Sequence, residues 1–430
     1  MSSSPADQAA DPAAPSLPVI LREWGRIGCV GFGGPPTHIR MLRDLCVSRR
    51  GWLDATEFED ALVACNLLPG PASTQLAIFC AWRLRGRAGA LAGGAAFILP
   101  GLALILVLAA VFLAGTPPLW VRGAGAGAGA AVAAVAVQAG SSLIPASWAR
   151  ASGARASWPR AGWPRAGWGR AGWPRAGWDP AQRARWASRA RWAGYLAAGG
   201  VAAATVGPWL VLVLLGCGLI ELTTQLRVRH HGNGQAHGLT TAPLLAAGAV
   251  TSGVLLSVAW VAFKVGALSY GGGFVIIPLM QSDAVNRYHW MTSAQFLNAV
   301  ALGQVTPGPV VQTVAVVGYA AAGIGGGLLA SLVAFTPSFT FVLLGAGRFD
   351  RLRGNQRAQA FLSGAGPAAI GAILGSAIPL ALALTQIWQY AVLAGAAILL
   401  LALRRGVVLT LLAAAAVGVV IGLAGGPVPH

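Results

Sequence analysis

Two stretches of the chain, Gly28 to Phe97 and Gly266 to Phe335, align without a gap at one constant offset. Gly33-Gly34 falls on Gly271-Gly272, Trp52 on Trp290, Phe58 on Phe296, and Pro69-Gly70-Pro71 on Pro307-Gly308-Pro309. A fused tandem of apolar helices is the common plan of a secondary transporter. The duplication therefore predicts a carrier whose site lies between two related halves.

The chain is 56% hydrophobic and 10% charged, with a mean hydropathy of +0.66. A soluble domain carries about a quarter charged residues, so the composition excludes a soluble protein and predicts an all-α polytopic membrane protein. Apolar runs at about 88–114, 123–147, 193–206, 208–224, 243–269, 326–346, 359–384, 388–403 and 406–424, with the shorter segment from Pro18 to Gly34, give about ten membrane passes. The divisions expected are a polar tail at 1–17, a first repeat core at 18–147, a linker at 148–192, a helical hairpin completing the first repeat at 193–224, a polar loop at 225–242, a second repeat at 243–424 and a tail at 425–430.

The net charge of +18 is concentrated rather than spread. Ten arginines lie between 148 and 192, where a Trp-Pro/Gly-Arg unit recurs every five residues through 156–180. That period suits neither helix nor strand, and the segment reads as a low-complexity insertion in a cytoplasmic loop, in preference to a basic, aromatic strip on anionic lipid headgroups. Nucleic acid is therefore not an expected partner. The five cysteines show no metal-ligand spacing, and no cofactor or metal is implied.

Arginine placement orients the halves oppositely. Arg40, Arg43, Arg49, Arg50, Arg83, Arg85 and Arg87 flank the first Pro-Gly-Pro, whereas only Arg287 lies in the aligned loops of the second copy. The next loops reverse the count, with Arg122 against Arg348, Arg351, Arg353 and Arg357. Cationic loops mark the cytoplasmic side, so an inverted-topology repeat is expected. Loops on both sides of 57–82 are cationic, which predicts two half-helices broken at the Pro-Gly-Pro; 293–320 should do the same from the opposite face.

Each break should leave helix N-terminal amides exposed: Ala72, Ser73 and Thr74 in one copy, Val310, Val311 and Gln312 in the other. Such termini favour anions. Arg26 aligns with Lys264, the sole lysine of the chain, and a cation inside a span is by default functional. Together they predict a site for a tetrahedral dianion formed by Arg26, Lys264, Pro69, Gly70, Pro71, Ser73, Thr74, Pro307, Gly308, Pro309, Asn66, Gln304, Gly33, Gly34, Gly271 and Gly272. Glu57, Glu59 and Asp60 read as solvated helix caps, and His38 as a proton carrier of low rank because the second copy has no counterpart.

Phe32-Gly33-Gly34-Pro35, Arg50-Gly51-Trp52-Leu53, Leu68-Pro69-Gly70-Pro71 and Phe97-Ile98-Leu99-Pro100, echoed by Ser269-Tyr270-Gly271-Gly272-Gly273, Trp290 and Thr306-Pro307-Gly308-Pro309, resemble the bacterial chromate ion transporter family in its two-domain form. The resemblance covers 18–147 and 193–424; the 156–180 repeat and Gly273 opposite Pro35 depart from it. It implies a multi-pass protein of the bacterial inner membrane that expels chromate, confers chromate resistance and draws on the proton-motive force. A coupling proton, membrane lipids and a second copy of the chain in a homodimer complete the expected partners. The alternatives are a transporter of sulfate or another oxyanion, and a membrane enzyme acting on a lipid phosphate, for which Ser73, Thr74 and Cys65 are the nucleophiles on offer.

Overall fold

The computed structural model describes residues 15–68, 70–113, 115, 117–151, 180–205, 210–230, 253–269, 274–345 and 355–429. Pro69, Tyr270, Gly271, Gly272, Gly273 and residues 156–179 of the repeat lie outside them, as do Arg348, Arg351 and Arg353. Among the described residues the structure is wholly helical.

The first half runs α1 (Leu17–Val30), α2 (Pro35–Arg43), α3 (Ala55–Leu67), α4 (Ala72–Phe112), α5 (Leu119–Ala151), α6 (Pro180–Thr205) and α7 (Leu210–His230). The second runs α8 (Val254–Leu268), α9 (Ile277–Gln281), α10 (Ser293–Val305), α11 (Thr313–Gly345), α12 (Gln356–Leu382), α13 (Ile387–Ala397) and α14 (Val407–Leu423). Four of these, α4, α5, α11 with its lead-in turn from Val310, and α12, are long and apolar enough to cross a membrane. With the shorter apolar helices at Leu210–Leu226, Val254–Leu268, Ile387–Ala402 and Val407–Leu423, they describe a polytopic membrane protein.

Local chemistry explains the helix starts. Pro35 and Pro36 open α2, where the missing N–H costs nothing. Asp54 caps α3 by accepting from the Thr56 amide at 2.9 Å, and Thr292 with Gln295 forms a capping box on α10. After α2 and after α9 the chain widens into a π-type turn, closed by Arg50 N–H to the Leu45 carbonyl and by Tyr288 N–H to the Asp283 carbonyl. These bonds keep the offset of the sequence match, as do the fully buried rings Phe58 and Phe296.

Both long central helices are bent double rather than straight. In α4 the backbone leaves the helical region at Arg85 (φ −145°, ψ 25°) and Gly86 (φ 60°, ψ −146°); in α11 it does so at Ala322 (φ −151°, ψ 32°) and Gly323 (φ 62°, ψ −154°). The reversal in α4 is tight, because a Cβ on Gly94 would meet Ile78 at 2.9 Å and one on Gly89 would meet Arg85 at 2.8 Å. The sequence match pairs Gly86 with Ile324, whereas the kinks pair it with Gly323. The gapless alignment therefore fails between the breaks and the kinks, where the second copy is one residue shorter and begins with a tight 3₁₀ turn, Val310–Gln312, in place of α-helix.

Helices pack both between the halves and within them. The most extensive contacts join α6 with α12, α5 with α14, α8 with α11 and α1 with α4, and α4 also packs directly on α11. Small residues permit the close approach: a Cβ on Gly123 would overlap the Gly418 carbonyl, and one on Gly266 the Ala334 carbonyl. The α4–α11 contact brings together the two helices that the breaks lead into.

Candidate oxyanion site at the two helix breaks

Between α3 and α4 the chain reverses direction. Glu57, in the first turn of α3, forms an ion pair with Arg83 at the far end of the first limb of α4, so both ends of this hairpin lie at one level and the break lies at its tip. Glu59 pairs with Arg43 at 3.3 Å. Glu57 and Glu59 are thus partly exposed ion-pair partners, and the N-cap residue is Asp54.

Glycine is required at each tip. Gly70 has φ 120° and Gly308 φ 99°, in a region that residues with a Cβ avoid. The prolines that follow, Pro71 and Pro309, return to extended backbone and launch the next helix. The N-terminal amides are fewer than the sequence suggests. Thr74 N–H donates to the Pro71 carbonyl and Gln312 N–H to the Pro309 carbonyl, each at 2.9 Å. Ala72, Ser73, Val310 and Val311 remain as leading amides with no backbone partner among the described residues.

Each tip is seated on the opposite half of the chain. Gly308 N–H donates to the Gly31 carbonyl at 3.2 Å, just past the end of α1. A Cβ on Gly34 would meet Val310 at 3.7 Å, and one on Gly101 would overlap the Pro307 carbonyl. Reciprocally, a Cβ on Gly70 would lie 3.2 Å from Ser338 Oγ in α11. Gly101 and Ser338 correspond under the spacing that relates the two kinks, as do Pro100 and Pro337 within the same helices.

Polar side chains surround these tips. Ser73, Thr74, Gln304 and Thr306 are buried, and Thr306 Oγ1 is spent on the Leu302 carbonyl at 2.9 Å. Asn66, aligned with Gln304, is exposed. Gln75 and Gln312 are both fully buried, and each folds back over the glycine of its own break: Gln75 Nε2 lies 2.6 Å from a Cβ built on Gly70, and Gln312 Oε1 lies 3.3 Å from one on Gly308. Gln312 Nε2 donates to the Ile98 carbonyl at 2.6 Å. The gapless sequence match sets Gln75 against Thr313; the spacing of the kinks sets it against Gln312. That one-residue slip concealed Gln312 and Ser338 from the sequence comparison.

The two cations stand differently. Lys264 is ion-paired with Asp283, whose side chain is 5% exposed. Arg26 lies on the exposed face of α1, opposite the buried Trp24, Ile27 and Gly28. Gly33 is exposed and Gly34 half-buried. His38 is fully buried, donates from Nε2 to the Gly31 carbonyl at 2.8 Å and packs edge-on against Phe97.

Six buried side-chain atoms on α2, α4, α10, α11 and the turns beside them have no hydrogen-bond partner among the described residues: His38 Nδ1, Thr74 Oγ1, Ser269 Oγ, Gln304 Nε2, Gln312 Oε1 and Ser338 Oγ. Ser269 follows α8 at the place where Gly31 follows α1. Four of the six, three hydroxyls and one amide, can donate. A separate cavity of about 390 Å³ lies at the mouth of the second hairpin, lined by Arg122, Gln295, Asn298 and Gln389; none of its lining residues belongs to a break.

The family model described as "Chromate transporter" matches residues 19–222 and 256–419. The chain is 28% identical over 372 residues to a chromate transport protein of Cupriavidus metallidurans, covering 85% of this chain and 83% of that one. It is 27% identical to a chromate transport protein of Pseudomonas aeruginosa, covering 86% and 82% respectively. An uncharacterized transporter of Methanocaldococcus jannaschii is 24% identical, covering 79% and 78%. No solved structure matches. A match over both halves, taking in both breaks and the helices that seat them, means that this chain belongs to the chromate transporter family.

Proposed function

We propose that the protein is a secondary transporter that carries chromate, a tetrahedral oxyanion, out of the cell across the bacterial inner membrane, with the cargo held between the breaks at Gly70 and Gly308. The observation that carries this reading is the set of buried, unpartnered polar side-chain atoms on the breaks and on the segments beside them. Each such group costs about 1–3 kcal/mol when left unpaired, whereas buried polar side chains elsewhere, such as Glu221 and Gln389, have hydrogen-bond partners. An oxyanion offers acceptors to the Thr74, Ser269 and Ser338 hydroxyls, to Gln304 Nε2 and to the leading amides of both half-helices.

The related kinks, turns and tips support an inverted-topology tandem repeat of about ten passes, with two broken hairpins approaching from opposite faces. Alternating access then consists of rocking the hairpins against the helices that seat them. The cationic share of the site is smaller than the sequence suggests, because Lys264 meets Asp283; Arg26 acts at the mouth, on the exposed face of α1. Efflux of an anion is favoured electrically by an inside-negative potential, by about 2.3 kcal/mol per charge per 100 mV, which links transport to the proton-motive force.

Chromate uptake into everted membrane vesicles, measured with and without an uncoupler, tests the proposal. Uptake should require the protein and fall when the potential is collapsed. Equal uptake by vesicles lacking the protein would reject it, and uptake of sulfate in preference to chromate would move the function to another oxyanion.

A further inference from the structure

We infer that the second break selects the protonation state of its cargo: the Gln312 carboxamide oxygen accepts a hydrogen bond from the O–H of a singly protonated oxyanion. Hydrogen chromate is then bound in preference to the chromate dianion and to sulfate. The inference rests on the transport reading above and specifies the chemical form that the site takes.

The orientation of Gln312 is fixed by its surroundings. Its Nε2 faces the Ile98 carbonyl at 2.6 Å, and turning the amide would set two oxygens against each other. Oε1 is therefore the atom left over Gly308 and Gly101, fully buried and without a partner among the described residues. An acceptor placed among the donors of an anion seat repels a fully ionised oxyanion, which has only lone pairs to present. A protonated oxyanion has one O–H for that acceptor and lone pairs for everything else.

Charge leads to the same form. Each half-helix N-terminus contributes about half a positive charge, so two tips supply roughly one. Lys264 adds little, being paired with Asp283. A monoanion balances that charge, whereas a dianion leaves an excess negative charge in a low-dielectric interior. Chromate takes up a proton near neutrality; sulfate does so only in strong acid. Gln75, placed over Gly70 in the first copy, gives that break the same type of side chain.

Among the described residues, the titratable group joined to the second break is His38, held by the Gly31 carbonyl that also receives Gly308 N–H. The facing stretches of α4, Ile98 to Gly101, and of α10, Gly303 to Val305, carry none. Sulfate separates the two sources of pH dependence, because protonation of His38 would act on both anions and protonation of the cargo on chromate alone.

Calorimetric titration of the purified full-length protein with chromate and with sulfate, at pH 6 and pH 8, is the test. Chromate should bind about tenfold or more tightly at pH 6, with sulfate weak at both. In Gln312→Met, chromate should lose this acid preference and sulfate should bind more tightly. Chromate binding that is as tight at pH 8, an equal acid gain for sulfate, or sulfate binding as tight as chromate would each overturn the inference while leaving oxyanion transport standing. Failure of both anions to bind would overturn the transport reading as well. Should Gln312→Met not fold, the wild-type arms decide alone.

Discussion

The backbone N–H of Gly308 donates to the carbonyl oxygen of Gly31 at 3.2 Å, tying the tip of the second break to the end of the first helix. The same carbonyl accepts from His38 Nε2. One oxygen thus joins a buried imidazole, a glycine segment of the first half and a helix break of the second. Replacing His38 with Phe removes one of the two donors and costs about 1 kcal/mol, which the remaining bond should let the fold absorb. Chromate tolerance of cells carrying His38→Phe should fall at unchanged protein level, while His38→Gln, which retains an N–H donor, should keep part of it.

Glycines at the seats should be far less replaceable than glycines elsewhere. Gly101→Ala drives a methyl into the Pro307 carbonyl, and Gly308→Ala places an alanine at φ 99°, at a cost of about 1–2 kcal/mol from backbone strain alone. Both should lower the midpoint of thermal unfolding in detergent and abolish chromate tolerance. Gly216→Ala, on a part of α7 with open space around it, should leave both intact or raise stability slightly, since Ala is favoured over Gly within a helix.

Lys264 and Asp283 should behave as a coupled pair. Removing one partner of a buried ion pair costs about 3–5 kcal/mol, whereas removing both is often close to neutral; the 16% exposure of the lysine side chain moderates the effect here. Lys264→Met and Asp283→Asn should each destabilise the protein more than the double variant does, as read from thermal unfolding. A double variant as unstable as the two singles combined would show that the residues act independently.

At the entrance to the first hairpin, the Thr56 amide holds the Asp54 carboxyl below its ordinary value, with the Thr56 side chain assisting. The folded pKa is depressed, so the cap contributes fully above the ordinary carboxylate pKa of about 3.9. Its contribution is lost as pH falls through the folded value. Hydrogen exchange at the Thr56 amide should therefore lose protection in acid in the wild type and show no such pH step in Asp54→Asn, which caps without titrating.

Much of this architecture is legible in the sequence because it rests on residue types with few conformational choices. Pro-Gly-Pro can do little inside an apolar helix except break it, and its recurrence pointed to two tips in one site. Phe58 with Phe296 and the turns before Trp52 and Trp290 follow from the same offset. The one-residue slip beyond the second break left no such mark, because a 3₁₀ turn at Val310–Gln312 changes spacing without changing residue type. That slip hid the match of Gln75 with Gln312 and of Gly101 with Ser338. The Lys264–Asp283 pair was equally hidden: the residues lie 19 positions apart on separate elements, and the first copy has Leu45 where the second has Asp283.

An oxyanion held where the two tips meet the opposite halves of the chain needs glycine at both tips. Chromate uptake into everted vesicles from cells carrying Gly70→Ala, Gly308→Ala or both, normalised to the amount of protein in the membrane, tests it most directly. Each single variant should lose most of the uptake and the double variant all of it. Undiminished uptake by a well-expressed double variant would show that the cargo is held elsewhere.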